Sequence, residues 1–211
     1  MILASDNLDS LGGFAHALIH SRQHVSPKRL IAPGPNLPQK LEILNAAGAA
    51  PDHGKVTPWH FYEVSPESRN LLGDLFADAL IARDPSATLT QIDEAKQKAF
   101  RGPLLLLATA KLNNELDNIP EQEKLISAGC AIQNILLMAN ALGFGSGLSS
   151  GKALYSQKMR ELFLLKDKEE PLCFITIGTI SVHKPNKHRS DSSQGGKGIG
   201  RSRYDRSNGK S

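Results

Sequence analysis

The sequence is short of long hydrophobic runs and of aromatic residues, and these shortages limit what the protein can be. No stretch of about eighteen apolar residues occurs, so we expect no transmembrane helix and no membrane partner. Residues 1–13 contain no basic residue and lack the apolar run of a secretion signal, so we expect a cytoplasmic location. Aromatic residues make up only 5% of the 211 residues, but 40% are hydrophobic, which is enough for one sizeable core.

Cysteine is also scarce, and its placement argues against a metal centre. Cys130 and Cys173 each stand in an apolar run, which predicts a pair of buried free thiols. A structural zinc site would need more ligands at closer spacing. His16, His20 and His24 recur every four residues, a spacing that can hold a metal on one helix face, but no glutamate completes a zinc-protease pattern. We therefore predict no metal.

The net charge of +4 is spread unevenly along the chain. From His183 to Ser211, eight lysine and arginine residues accompany two aspartates, a net charge of +6, so residues 1–182 together carry −2. The pI of about 9.1 therefore describes the tail and does not indicate that the folded part binds nucleic acid. We predict one folded domain, 1–182, and a basic tail rich in glycine and serine, 183–211, that buries too little apolar surface to become ordered.

Hydrophobic periodicity predicts helices and strands in alternation. Helical patterns lie at residues 12–24, 38–48, 68–83, 91–100 and 122–142. The last of these is apolar nearly all round, which is typical of a helix in the middle of a core. Strand patterns lie at residues 59–64, 103–110 and 172–180, and the second has the composition of a strand buried on both faces. Interior strands separated by helices predict a mixed sheet with helices on both faces.

A segment rich in glycine and serine, 143–151, follows the longest helix. Its first residues, GFGSG, are similar to a dinucleotide-binding fingerprint, but that fingerprint requires a strand before the glycines, and a helix precedes them here. We predict a helix C-cap at Gly143 followed by a flexible loop. The unhindered backbone N–H groups of such a loop can lie against a planar cofactor or cradle an anion.

Two polar segments are further candidates for ligand binding. In APDHGK, residues 50–55, Asp52 is a common turn former and His53 would usually be a surface residue. Arg22, Lys28 and Arg29 follow the first predicted helix, where arginine can bind a phosphate in a bidentate manner. Cations at helix C-termini are as common without a ligand, so neither segment alone identifies a function.

The order of these segments resembles the nitroreductase family, and within it the minimal, single-domain NAD(P)H nitroreductases. The segments that carry the resemblance are RQH (22–24), APDH (50–53), PWHF (58–61), FRGP (100–103), SAGCA (127–131), GFG (143–145) and IGT (177–179). The APDH and PWHF pair is specific, and the ordered set, which covers roughly residues 13–182, is more so.

The resemblance implies an α+β fold, with a central mixed β-sheet flanked by helices and a long buried core helix. It implies an FMN-dependent oxidoreductase that takes hydride from NADH or NADPH at flavin N5. By a ping-pong mechanism, the enzyme would pass the electrons to a small organic acceptor such as a nitroaromatic or a quinone. It also implies an intertwined homodimer with FMN at the interface, and no nucleic-acid partner. The alternative is a non-catalytic flavin-binding or sensing protein whose basic tail docks to nucleic acid or to an acidic partner.

The resemblance also assigns two groups of cofactor contacts. Arg22, Gln23 and His24 stand where the family's Arg-Arg-Ser segment meets the FMN phosphate and ribityl chain. Ala49 and His53 stand at a second contact stretch, from which His53 would reach the flavin bound mainly by the other subunit. Glutamine and histidine replace an arginine and a serine in the first group, and Ala49 replaces a residue that is often arginine. These replacements imply weaker FMN binding than is usual in the family.

A third group of contacts belongs to the segment rich in glycine and serine. Leu148, Ser149, Ser150 and Gly151 stand at the loop that faces the isoalloxazine ring, where the subgroup often has Trp-Arg-Ser. No side chain is required as an acid or a base, so we predict no catalytic residue. Candidates for a positive group near the reduced ring are His24, His53, Lys55 and Lys152. Candidates for the family's C-terminal basic contact are Lys187 and Arg189.

Overall fold

The computed structural model describes residues 10–112 and 118–184. The predicted tail lies outside the described residues from residue 185 onward, and so do Lys187 and Arg189. The described elements are, in chain order, α1 (Leu11–Ser21), β1 (Leu30–Ile31), α2 (Leu37–Asn45), β2 (Trp59–Glu63), α3 (Arg69–Arg83), α4 (Leu89–Lys96), β3 (Leu104–Lys111), α5 (Glu121–Ala141), β4 (Gly145–Ser149), α6 (Gln157–Leu162) and β5 (Glu169–Ile180).

Polar side chains and sheet pairing determine where the helices begin and end. Asn36 accepts a hydrogen bond from the backbone N–H of Gln39, whose side chain accepts one in return, so a capping box begins α2. A second capping box begins α4 in the same way. Helix α1 ends at Ser21, before the predicted end at residue 24, because His24 pairs with the sheet instead.

The strands form one sheet in the order β1–β5–β3–β2, and β4 also pairs with β5. Every pair of named strands in the described part of the chain is antiparallel. The predicted mixed sheet would also contain parallel strands. Among these residues, parallel pairing occurs in one isolated bridge, between His24 and Ser146. The predicted α+β class, with helices around a central sheet, is confirmed.

Strand β4 corrects the prediction of a flexible loop over 143–151. Gly145 pairs opposite Gly178 and Ser149 opposite Phe174, so most of the predicted loop is a sheet strand. Glycine and serine have low strand propensity, but the backbone hydrogen bonds offered by the edge of β5 outweigh that local preference. Gly143 and Phe144 before the strand, and Ser150 and Gly151 after it, lie outside the sheet.

The core has two layers because β3 is buried on both faces, as its sequence predicts. Leu106 packs with Ile135 of α5 on one face, and Leu107 packs with Leu72 of α3 on the other. The long core helix is confirmed as α5, although its outward-facing side, which includes Ile126, is exposed in a single chain.

Both cysteines are free thiols, as predicted. Cys173 is buried in β5 and Cys130 is half-buried in α5. Burial raises the pKa of the Cys173 thiol to about 11, which makes it a poor nucleophile at neutral pH.

A buried arginine holds the start of β3. Arg69, which is 7% exposed, donates hydrogen bonds to the carbonyl oxygens of Ala99, Gly102 and Pro103 at 3.0, 2.9 and 3.0 Å. Burial lowers the pKa of this guanidinium, and the charge of Glu63 opposes that effect. The interaction satisfies backbone carbonyls in the turn before β3 that no sheet partner reaches.

A buried carboxylate holds the end of β3. Glu169, which is 3% exposed, accepts hydrogen bonds from Thr109 Oγ1 at 2.6 Å, Tyr62 Oη at 2.8 Å and the backbone N–H of Lys166 at 3.3 Å. Burial acts to raise the pKa of Glu169, but these hydrogen bonds, together with nearby His60, lower it below the ordinary value. Burial and the bond to Glu169 raise the pKa of Tyr62 to about 12, so the phenol stays a donor.

We expect the ionisation of Glu169 to contribute to stability. The pKa of Glu169 in the folded chain lies below its pKa in the unfolded chain, which is about 4.3. The stabilisation is therefore complete at pH values above the unfolded-state pKa, and it is lost as the pH falls through the folded-state pKa. At pH 7, Glu169→Gln should lower the free energy of unfolding by about 1–3 kcal/mol. It should also weaken the dependence of stability on pH in the acid range. Urea unfolding at several pH values measures both, with the exposed Glu42→Gln as control, and an unchanged acid dependence would contradict this account.

Candidate functional site

The segment after α1 lies against the edge of the sheet. His24 forms its parallel bridge with Ser146, and the backbone N–H of Val25 donates to the Ser146 carbonyl at 2.9 Å. Gly147 makes this approach possible, since a Cβ there would lie 2.1 Å from the Val25 carbonyl oxygen. The predicted phosphate-binding segment therefore lies beside the first residues of β4, and the predicted ring-facing segment begins at the other end of the same strand.

A recess of about 570 Å³ opens next to the end of β4, between α3, α4 and residues 149–152. Apolar side chains line its inner part, including Phe76 of α3 and the buried Leu105 and Phe174 of the sheet. Charged side chains also line it, namely Lys28, Arg83, Asp84, Glu94, Lys98, Arg101 and Lys152.

The charges of the recess are unbalanced, with five cations against two carboxylates. Among the described residues, none of the five cations forms an ion pair. Cations that share a recess without partners repel one another, and a bound anion would relieve that repulsion. The recess therefore favours a ligand with an apolar body and negative charge.

Part of this recess was predicted from the sequence and part was missed. Ser149, Ser150 and Gly151, which the resemblance assigns to the ring-facing loop, line it, whereas Leu148 of the same predicted group does not. The contributions of Gln91 and Lys98 were missed, because a polar helix face usually points to solvent. The two residues are seven positions apart, which is two helical turns. That spacing could have indicated that both side chains lie on one face of the predicted helix 91–100.

Gln23 is separated from this recess. It lines a second cavity, of about 130 Å³, together with Asn140 and Ser146. Neither the recess nor the second cavity is lined by Arg22 or His24.

The second predicted contact stretch lies at the other end of α5. The Nδ1 atom of His53 is 2.7 Å from Oε2 of Glu123 in the first turn of α5. Asn140, in the last turn, donates to Ser21 Oγ at 2.8 Å, immediately before Arg22. The helix between Glu123 and Asn140 spans about 26 Å at 1.5 Å per residue. One chain therefore does not bring Arg22 and His53 together.

Ala49 belongs to the same end of the molecule as His53. It is exposed at the end of a short 3-10 turn, Ala46–Ala49, while Ala47 and Ala50 are buried in the core layer that includes α5. The predicted site residues are thus divided into two groups, one near β4 and one near the start of α5.

Comparison with known proteins identifies the family. A profile of the nitroreductase family matches residues 32–179, more than two thirds of the chain. The chain belongs to the nitroreductase family. A Haemophilus influenzae protein named "Putative NAD(P)H nitroreductase" is 35% identical over 154 residues, which cover 73% of this chain and 83% of that protein.

Solved structures share the fold of this nitroreductase at low sequence identity. A nitroreductase-like family protein from Bacillus cereus superimposes with a TM-score of 0.73 at 19% identity, covering 94% of this chain and 98% of that one. An FMN-dependent nitroreductase from Clostridium difficile R20291 gives 0.60 at 19% identity, covering 85% and 96%. The predicted nitroreductase-like fold is confirmed. Family membership also confirms the predicted oxidoreductase class over the non-catalytic alternative.

The nitroreductase has an apolar surface on one side. Helices α1 and α2 both contact α5, and the three helices carry exposed apolar side chains. These side chains are Leu11, Phe14, Ile19, Leu37, Leu41, Leu125 and Ile126. Exposed apolar residues in this number are typical of a surface that another molecule covers.

The three-histidine pattern does not form a metal site. His24 lies beyond the end of α1, while the rings of His16 and His20 stack with their centroids 4.2 Å apart. Residues 10–112 and 118–184 contain no group of three histidine, cysteine, aspartate or glutamate side chains that could hold a metal. In the same ranges, no helix is both long enough and apolar enough to cross a membrane.

We expect Gly147→Ala to displace the segment after α1. The new Cβ would meet the Val25 carbonyl oxygen at 2.1 Å, and a backbone atom cannot give way as a flexible side chain can. The free energy of unfolding should fall by about 1–3 kcal/mol, as for other overpacked positions. Gly12→Ala in α1 is the matched control, because the nearest atom to its Cβ would be 4.0 Å away. Urea denaturation compares the two, and equal stability of both variants would contradict the close contact.

Proposed function

We propose that this nitroreductase is an FMN-dependent NAD(P)H oxidoreductase that reduces a small organic acceptor, such as a nitroaromatic or a quinone. The observation that carries the proposal is the recess beside β4, which combines an apolar interior with unpaired cations. An apolar interior suits a planar aromatic ring, and the cations would stabilise negative charge on its edge. The FMN-dependent relative of the same fold supports the choice of flavin.

The residues around β4 have suitable chemistry for the parts of FMN. Arg22 can bind the phosphate in a bidentate manner, and His24, two residues later, can donate a hydrogen bond to it or to the ribityl chain. Ser149, Ser150 and Gly151 would lie against the ring, with Leu148 before them at the end of β4. Gln23 lines the smaller cavity, and we keep it with Arg22 and His24 as a candidate contact for the phosphate and ribityl chain.

When bound, FMN would supply the hydride-accepting and electron-donating chemistry that the protein side chains lack. The cations Lys28, Lys98, Arg101 and Lys152 would favour the negatively charged state of the cofactor. Because one recess would serve both NAD(P)H and the acceptor, the two would bind in turn, and we propose ping-pong kinetics.

We further propose that the active form is a homodimer with FMN at the interface. Arg22 and His53 lie at opposite ends of α5 in one chain, which favours a site to which two subunits each contribute one of the two residues. The exposed apolar side chains of α1, α2 and α5 supply a surface for such an interface. Ala49 would then approach the flavin of the other subunit together with His53.

We expect the protein to bind FMN and to have the bound flavin reduced by NADH or NADPH. Protein purified with added FMN should be yellow, should release FMN and not FAD on heating, and should lose its absorbance near 450 nm when mixed with the reductant under anaerobic conditions. Lys98→Met should weaken FMN binding about two- to fivefold, as expected for a partly exposed charge contact.

Lys96→Met is the matched control, because Lys96 belongs to the same stretch but pairs with Asp74. Fluorescence titration of FMN compares the three proteins. A wild-type protein that binds no FMN would refute the proposed function, and equal effects of the two substitutions would refute the role of the recess.

We expect two defective variants to complement each other if the site is shared between subunits. Arg22→Ala and His53→Ala should each bind FMN poorly as homodimers. A mixed dimer carries one site with both residues intact, so mixed subunits should regain about half of the wild-type flavin content and reductase activity. Differently tagged subunits allow the mixed dimer to be purified and measured. Failure to regain activity in a verified mixed dimer would show that the two residues do not act across the interface.

A further inference from the structure

The His53 side chain is held by a carboxylate that the cofactor contacts do not include. Its Nδ1 atom lies 2.7 Å from Oε2 of Glu123, which stands in the first turn of α5. An ionised carboxylate only accepts hydrogen bonds, so Nδ1 of His53 must donate. In the neutral ring, Nε2 is then the bare nitrogen and the end that remains available to a ligand.

The backbone around His53 is fixed as well. Asp52 accepts hydrogen bonds from the backbone N–H groups of Val56 at 3.2 Å and Thr57 at 2.8 Å. Lys55 and Thr57 have φ angles of 54° and 45°, in the left-handed region that β-branched and other bulky residues avoid. A turn that keeps such residues in this region is strained, and the Asp52 hydrogen bonds stabilise it.

The pair between His53 and Glu123 contributes little to folding. The His53 and Glu123 side chains are 67% and 47% exposed, and an ion pair so accessible to water contributes little to stability. Glu123 also favours the start of α5 electrostatically, but Glu121 in the same turn has the same effect. What Glu123 alone provides is a fixed orientation and a fixed tautomer for the His53 ring.

We propose that Glu123 is a positioning residue, which holds the His53 imidazole with Nε2 free for its contact with the flavin of the other subunit. This inference rests on the proposed function, because it needs a flavin shared between two chains. Asp52 fixes where the ring is attached and Glu123 fixes how it is turned, so His53 is already oriented before the cofactor binds. Orientation in advance increases affinity because less side-chain freedom is lost on binding.

The first test measures the tautomer of His53 in the protein without flavin. Two-bond ¹⁵N–¹H spectra distinguish a protonated ring nitrogen from a bare one, and the protein has only 7 histidines, so His53→Gln identifies the signal. In the wild type, Nδ1 should carry the proton. In Glu123→Ala, the neutral ring should shift toward the Nε2-protonated form, whereas Glu121→Ala should leave it unchanged. A His53 signal that is the same in all three proteins would overturn the proposal.

The second test is a double-mutant cycle on FMN affinity, measured by fluorescence titration. Glu123→Ala should weaken binding about two- to tenfold, the cost of ordering one more side chain when FMN binds, while Glu121→Ala should have no effect. In the His53→Ala background, Glu123→Ala should change nothing further, because its only route to the flavin is gone. Glu123→Gln retains an acceptor oxygen and should fall between the wild type and Glu123→Ala.

The experiments distinguish a failure of the proposed function from a failure of the inference about Glu123. If the wild type binds no FMN, the proposed function fails, and the inference about Glu123 fails with it. If the wild type binds FMN and His53→Ala weakens binding, but Glu123→Ala does not, only the inference about Glu123 is overturned. An equal effect of Glu123→Ala with and without His53 would also overturn it, because Glu123 would then act by another route.

Discussion

The contact between the Val25 carbonyl and strand β4 is the constraint on which the arrangement of the site depends. The oxygen lies where a Cβ of Gly147 would be, so the segment after α1 can pair with β4 only because this residue has no side chain. Pairing there ends α1 at Ser21 and holds His24 beside the start of β4, the strand whose other end leads into the recess. Two segments that are more than 120 residues apart in the sequence become neighbours through one backbone contact.

The parts of the fold that the sequence predicted are those in which local pattern and tertiary environment agree. Helix α5 and strand β3 have strong apolar patterns, and each is buried as its pattern requires. Strand β4 was missed because its glycines and serines have no strand preference, and only the open edge of β5 makes them a strand. The same limit applies to the site. Motifs indicated His53 and Ser149–Gly151, but Lys98 became part of the recess only through the packing of α4 and of the short turn after it.

The length of helix α5 determines how far apart the two groups of predicted site residues lie. Its 21 residues separate the group near β4 from the group near the APDH turn by a distance that no side chain spans. If both groups bind one cofactor, a second copy of the chain has to supply one of them. The apolar side chains exposed on α1, α2 and α5 are consistent with that requirement. A helix that serves as the core of one chain would thus also determine how far apart the two halves of each site must be.

Charge is used in two different ways in this structure. At the ends of β3, Arg69 and Glu169 are buried, and nearly every polar atom that they offer is matched by backbone carbonyls or hydroxyl donors. Such groups stabilise the sheet only while their partners are in place, because an unmatched buried charge is costly. Around the recess, five cations are left unpaired and most of them are exposed, which costs little in water but leaves them free to bind an anion. Because β3 is fixed at both ends by matched charges, the rim of the recess need not contribute to folding, and its cations remain available for a ligand.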